Sequence, residues 1–173
     1  MKKNYVFQWT IVLSLLSCIL FSCKYANEYQ TINANNQFSV SVPSWMKEEN
    51  NLAGDAPFQY ANRFRNLYAI GFALNKDTAK SDLNFYWNRN LGALKSALKK
   101  PLVTDSISVE VGGLKGVRAE ILGTMDGEHI FFSEVFLEGK TKYYHLSIWV
   151  RGDERKLRFK EDINRIIASF KEL

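Results

Sequence analysis

Cysteine is scarce in this chain of 173 residues: there are two, Cys18 and Cys23, both near the N-terminus. No pair of cysteines is therefore left for a disulfide or a thiolate metal site in the remaining 150 residues. Histidine is equally sparse, and His129 and His145 are not spaced as a local pair of ligands, so a zinc site would need carboxylates recruited from elsewhere. No Gly-x-Ser-x-Gly elbow exists to present a serine nucleophile. The one glycine-rich stretch, Gly112 to Gly116, lies between two predicted strands. It lacks the helix N-terminus that a phosphate loop needs and reads as a turn. There is no internal repeat, low-complexity segment or dense basic block. The formal charge of +5 is spread through the chain, and the densest cluster, Arg151 to Lys160, includes Asp153 and Glu154. That pattern belongs to a solvated helix face and gives no nucleic-acid footprint. Glu48, Glu49 and Asp55 sit in a loop without the spacing of a calcium site.

What is present begins at the N-terminus. Met1-Lys2-Lys3-Asn4 is a short positive region, followed by an apolar stretch from Tyr5 to Phe21. That is the layout of a secretory signal. The stretch ends in Leu20-Phe21-Ser22-Cys23, which resembles the lipobox read by the bacterial lipoprotein signal peptidase, with Phe21 larger than the usual residue at its position. The resemblance implies cleavage after residue 22 and diacylglycerol on the Cys23 thiol, usually with acylation of the freed amino group. Multiple acyl chains anchor stably where one is marginal. An ordinary cleaved signal and an uncleaved membrane helix are the alternatives, since about 18 apolar residues nearly span a bilayer. On the lipoprotein reading, residues 1–22 are the leader, residues 23–36 a polar tether, and residues 37–173 a single domain. Its place is the bacterial cell envelope, and Lys24, where inner-membrane retention would favour Asp, points to the outer membrane. A composition with 46% hydrophobic and 14% aromatic residues is enough for a core without staples.

Within the domain, Gln37 to Val42 alternates as a strand closed by Pro43, with Trp45 as a core plug. Phe58 to Phe64 and Leu67 to Leu74 predict a hairpin around Arg65-Asn66, its second arm apolar enough for a central strand. Ser81 or Asp82 caps a helix running to Lys100, on which Leu83, Trp87, Leu91, Leu94 and Leu98 recur at three- and four-residue steps. Lys95, Lys99 and Lys100 suit its C-terminal end and Pro101 stops it. Four strands follow: Asp105 to Val111, Leu114 to Leu122, Glu128 to Glu138 and Lys142 to Val150, joined by turns at Gly112-Gly113, Asp126-Gly127 and Gly139-Lys140. A last helix from about Glu154 to Lys171 buries Leu157, Phe159, Ile163, Ile166, Ile167 and Phe170. The fold class is α+β, a mostly antiparallel sheet with helices packed on it.

The opening Phe-Ser-Val-Ser-Val-Pro-Ser-Trp, the early hairpin, the middle helix, the glycine-punctuated meander and the terminal Ile166-Ile167-Ala168-Ser169-Phe170-Lys171 resemble the PsbP/Mog1 superfamily over residues 37–173. The resemblance implies an α/β/α sandwich with helices on both faces of the central sheet. Members of that superfamily include a photosystem II extrinsic subunit and a nuclear-transport factor that binds a small GTPase. Neither job carries over residue by residue.

A two-residue turn at Gly139-Lys140 sets Glu134 opposite His145, Phe136 opposite Tyr143, Phe132 opposite Ser147 and Ile130 opposite Trp149. Val117, Ala119 and Ile121 come alongside. This aromatic face with an acid and an imidazole is either a ligand cleft or a helix-covered core layer in which Glu134 and His145 satisfy each other. No nucleophile and base are arranged, so the chain reads as a non-enzyme without a cofactor. Two roles follow. The first is a lipid-anchored binding or assembly module that docks on another envelope protein, as superfamily members tend to do; it predicts an exposed apolar patch and no deep polar cleft. The alternative is a carrier or sensor of a small hydrophobic or aromatic ligand, with Glu134, Tyr143, His145 and Trp149 at the site. It predicts a cavity of about several hundred Å³ beside the last strand.

Overall fold

The computed structural model describes residues 28–76, 82–152 and 155–173. The expected leader, Cys23, the first part of the tether, Ser81 and the expected helix start at Glu154 lie outside the described residues. Among those described, no helix is long and apolar enough to cross a membrane.

The described residues build eleven strands and two helices: β1 (Tyr29–Ala34), β2 (Phe38–Pro43), β3 (Lys47–Glu48), β4 (Phe58–Asn62), β5 (Leu67–Asn75), α1 (Leu83–Ala97), β6 (Lys99–Val103), β7 (Ile107–Val111), β8 (Leu114–Met125), β9 (Glu128–Glu138), β10 (Lys142–Arg151), α2 (Arg155–Ala168) and β11 (Lys171–Glu172). Eight strands form one sheet, in the order β3-β4-β5-β10-β9-β8-β6 with β7 also on β8; a second sheet has the order β1-β2-β11. Every pairing is antiparallel. The apolar second arm of the hairpin, β5, lies inside the large sheet between β4 and β10, as its lack of polarity predicts.

One face of the large sheet carries Ala69 of β5, Leu146, Ile148 and Val150 of β10, and Phe131, Val135 and Leu137 of β9. These pack with the small sheet and with Phe159, Ile163, Ile166 and Ile167 of α2 into the main core. Phe38 of β2 is its hub: fully buried, its ring lies 5.4 Å from Phe170, 5.8 Å from Tyr144 and 6.3 Å from Phe58. Gly71 of β5 makes room for it, since a Cβ there would stand 3.0 Å from the Phe38 ring tip. On the same face Arg118 bonds Ser133; burial pushes its guanidinium down, opposed by the charge of Glu120.

Four sequence expectations need correction. Residues 29–36 belong to the domain, not to a tether: β1 pairs with β2 along its whole length, Tyr29 bonds Asp162, and Asn35 and Asn36 take left-handed turn conformations. Asparagines that looked like linker polarity are turn residues, because Asn enters that region more readily than other side chains. Helix α1 ends at Ala97, not Lys100, since Leu98 is extended; Lys99 and Lys100 open the edge strand β6, where Pro101 costs no ladder bond that matters. Helix α2 likewise stops at Ala168, and Lys171–Glu172 become β11 on β2. Leu157 is 78% exposed rather than core. At 100° per residue it falls on the side of α2 opposite Ile166.

Candidate functional site

The other face of the large sheet holds the residues singled out from the sequence. The turn between β9 and β10 is centred one residue later than expected, on Lys140-Thr141, because Gly139 N–H donates to the Lys142 carbonyl over 2.8 Å. The register therefore slides by two, pairing His145 with Phe136, Ser147 with Glu134, Trp149 with Phe132 and Tyr143 with Glu138. A slide of two keeps every side chain on its face. The expected direct opposition of Glu134 and His145 becomes a diagonal, and a diagonal is within reach of long side chains. Val117, Ala119 and Ile121 of β8 stand beside Phe136, Glu134 and Phe132 as expected. Tyr68, Ile70, Phe72 and Leu74 of β5 complete the face on the other side of β10.

Glu134 is 1% exposed and spends both carboxylate oxygens here: His145 Nε2 lies 2.5 Å from Oε2, and the Ser147 hydroxyl donates to Oε1. An ionised Glu134 can only accept, which then requires the hydrogen on Nε2. The His145 ring is sandwiched by Phe136 at 4.1 Å and Phe72 at 5.8 Å. In this order the acid stands between serine and imidazole, so His145 cannot take a proton from Ser147. The three residues are a closed hydrogen-bonded unit and not a nucleophile with its base. No group of three or more potential metal ligands occurs among the described residues.

Helix α1 covers part of this face. Trp87, its buried residue, meets Phe136 edge-on at 5.6 Å, and Leu98, just past its end, packs with Ile121, Ile130 and Phe132. Of its next stripe, Tyr86 reaches Tyr143 of β10, while Asn90 and Ala93 line open space over the sheet. Between them runs a cleft in two adjoining parts that share Phe72, Asn90, Ala93 and His145. The first, of about 320 Å³, lies between Tyr86 and Arg89 of α1 and Tyr143 of β10. The second, of about 470 Å³, extends over Glu134 and Ser147 to Trp149 and Met125. Asn90 Oδ1 is buried here with no hydrogen-bond partner among the described residues. Tyr143 is flanked by Tyr86 at 6.1 Å and by the Lys76 ammonium at 5.0 Å, and Trp149 stacks on Tyr68 at 5.2 Å.

All four sequence-picked residues, Glu134, Tyr143, His145 and Trp149, thus share one cleft, Tyr143 in its first part and Glu134 and Trp149 in its second. Sequence reasoning missed the helix side. Asn90 with Ala93 and Ala97, polar and small residues beside an inward stripe of larger ones, is the signal that marks where α1 stands off the sheet.

No protein-family model and no curated protein matches the chain. Solved structures do match its fold. The Ran-binding protein Mog1p of Saccharomyces cerevisiae aligns with a TM-score of 0.58 at 13% identity, over 84% of this chain and 95% of its own. CyanoP, the cyanobacterial PsbP of Synechocystis, aligns at 0.56 and 9%, over 84% and 92%. LpqN of Mycobacterium tuberculosis, involved in cell envelope biogenesis, aligns at 0.58 and 12%, over 83% and 90%. The chain spans about half, 48%, of a further similar structure from Bacteroides thetaiotaomicron. Identities of this size carry the architecture and nothing finer; the domain has the PsbP/Mog1-like fold.

Proposed function

We propose that this protein is a lipid-anchored component of the bacterial cell envelope, held by Cys23 in the outer membrane, that acts as a non-catalytic binding module docking on another envelope protein. One observation carries the binding reading: Glu134, His145 and Ser147 satisfy one another, while the aromatic cleft beside them stands open under α1. Such a surface suits binding. An α/β/α layering is part of this proposal, supported by the contact of α1 with Phe136 and by the α2 residues in the main core. That Mog1p binds Ran and LpqN serves envelope biogenesis makes a protein partner the first choice. A photo-cross-linking residue in place of Tyr143, activated in intact cells, tests it. One abundant envelope protein on the cross-link supports docking, and a bait that never acquires a protein refutes it.

The cleft volume and the unpaired Asn90 Oδ1 favour a second reading, a carrier of a small aromatic or hydrophobic ligand able to donate a hydrogen bond. On that reading Trp149→Ala abolishes uptake in equilibrium binding, and unchanged affinity sinks it. The anchor has its own test. Cys23→Ser abolishes the lipid-dependent increment in intact mass and the mature processing; normal processing of the variant means an ordinary signal.

A further inference from the structure

We propose that the end of the domain bearing the Arg63 to Asn66 turn rests on the phospholipid surface in which Cys23 is anchored, with Phe64 in the headgroup layer and Arg65 and Arg158 on lipid phosphates. The inference rests on the lipid-anchor reading, which supplies the tether. Glu28, the first described residue, is tied to the fold by its carbonyl, which accepts from Ser44 N–H over 2.8 Å. From Cys23 to Glu28 is a stretch of five residue steps, which reach at most about 18 Å when fully extended. A lipid on Cys23 therefore keeps the surface around Ser44 and Trp45 close to the bilayer.

That surface carries the features a bilayer takes up. Phe64 is 93% exposed at the tip of the β4–β5 turn, and the turn is fixed to Trp45 by Asn62, whose Nδ2 donates to the Trp45 carbonyl over 2.8 Å. The Arg65 guanidinium lies 4.5 Å over the Trp45 ring. Trp45 touches Phe159 at the start of α2, under Arg158 at 5.5 Å, and exposed Leu157 lies on the same turn. Arg63 is engaged by Glu49 and Arg151 by Glu128, whereas Arg65 and Arg158 have no carboxylate partner among the described residues. An exposed phenylalanine, an amphipathic tryptophan and two exposed guanidiniums match an anionic phospholipid interface. The Trp149 mouth of the cleft lies at the same end, since Tyr68, two residues beyond the turn, stacks on Trp149.

The lipoprotein as cells make it, reconstituted in phosphatidylethanolamine and phosphatidylglycerol vesicles, tests the inference. Phe64→Cys and Lys140→Cys each give one labelling site for an environment-sensitive fluorophore, because acylation occupies the Cys23 thiol. Lys140 is exposed in the β9–β10 turn, about 30 Å away along β10. Intact mass first establishes the lipid. The label at 64 then shifts to the blue and loses most of its emission to a lipid-borne nitroxide quencher, while the label at 140 stays as in water. A lipidated protein whose label at 64 behaves like the one at 140 overturns the docking geometry. A mass without lipid, with a second label on Cys23, overturns the anchor itself and the inference with it, and the two failures leave different records.

Discussion

Phe38→Ala lowers the unfolding free energy by about 3–5 kcal/mol, the range for a large aromatic removed from a core that cannot collapse around the gap. Phe38 is fully buried, and its neighbours come from four elements or segments: Phe58 on β4, Gly71 on β5, Tyr144 on β10 and Phe170 after α2. The ring is the bolt between the two sheets, and no single neighbour can move to fill its place without leaving its own strand. For a domain of this size the loss lowers the melting temperature by about 6–20 °C. A second variant separates packing from propensity. Gly71→Ala puts a Cβ 3.0 Å from the Phe38 ring tip and 3.2 Å from a Leu146 methyl, and costs about 1–3 kcal/mol in the wild-type background. In the Phe38→Ala background that methyl enters vacated space, so the double variant is more stable than the sum of the two losses predicts. Strict additivity in urea unfolding would show that the Phe38 ring and Gly71 are not packed as described.

How much of this was legible depends on what kind of signal each element sends. Strands β2, β5, β9 and β10, the α1 stripe and the Asp126-Gly127 turn announce themselves through periodicity and turn chemistry, and all are present. Strand β1 did not, because its burial pattern is weak and its flanking asparagines imitate a linker. Strand β6 was hidden in residues equally good at ending a helix, Lys99, Lys100 and Pro101; only the sheet edge offered by β8 decides between the two. β11 is two residues long and is defined wholly by its partner β2. For the site, parity was legible and register was not. Alternation assigns Tyr143, His145 and Trp149 to one face of β10, and any turn that shifts the register by an even number keeps Glu134 with them, whereas their pairing hangs on one backbone hydrogen bond at Gly139. Whether that face is an open cleft or a covered layer was not legible, since the width is set by how far α1 stands from the sheet, a property of both surfaces together.

The hydrogen-bonded unit beneath the cleft makes the second large prediction. Glu134→Ala removes the acceptor of a buried donor, Ser147, and of a half-buried one, His145, and an unsatisfied buried polar group costs about 1–3 kcal/mol. With His145 and Ser147 both left unpaired, the variant loses roughly 2–5 kcal/mol, lost packing included. Glu134→Gln is the informative partner. Its amide oxygen can accept from His145 Nε2 and its amide nitrogen can donate to Ser147 Oγ, so both contacts persist in neutral form and most of the stability returns. If Glu134 acts only by holding the cleft floor, the glutamine variant also keeps the cross-link or ligand binding of the wild type, while the alanine variant loses binding in proportion to its loss of fold. A glutamine variant that is as stable as the wild type yet no longer binds would mean that the carboxylate charge reaches the occupant. The closed unit seen here would then open on binding, with Ser147 or His145 exchanging its bond to Glu134 for one to the occupant. Because both variants are read by the same unfolding and binding measurements, the role of Glu134 as floor or as contact is decided by which of the two quantities the amide restores.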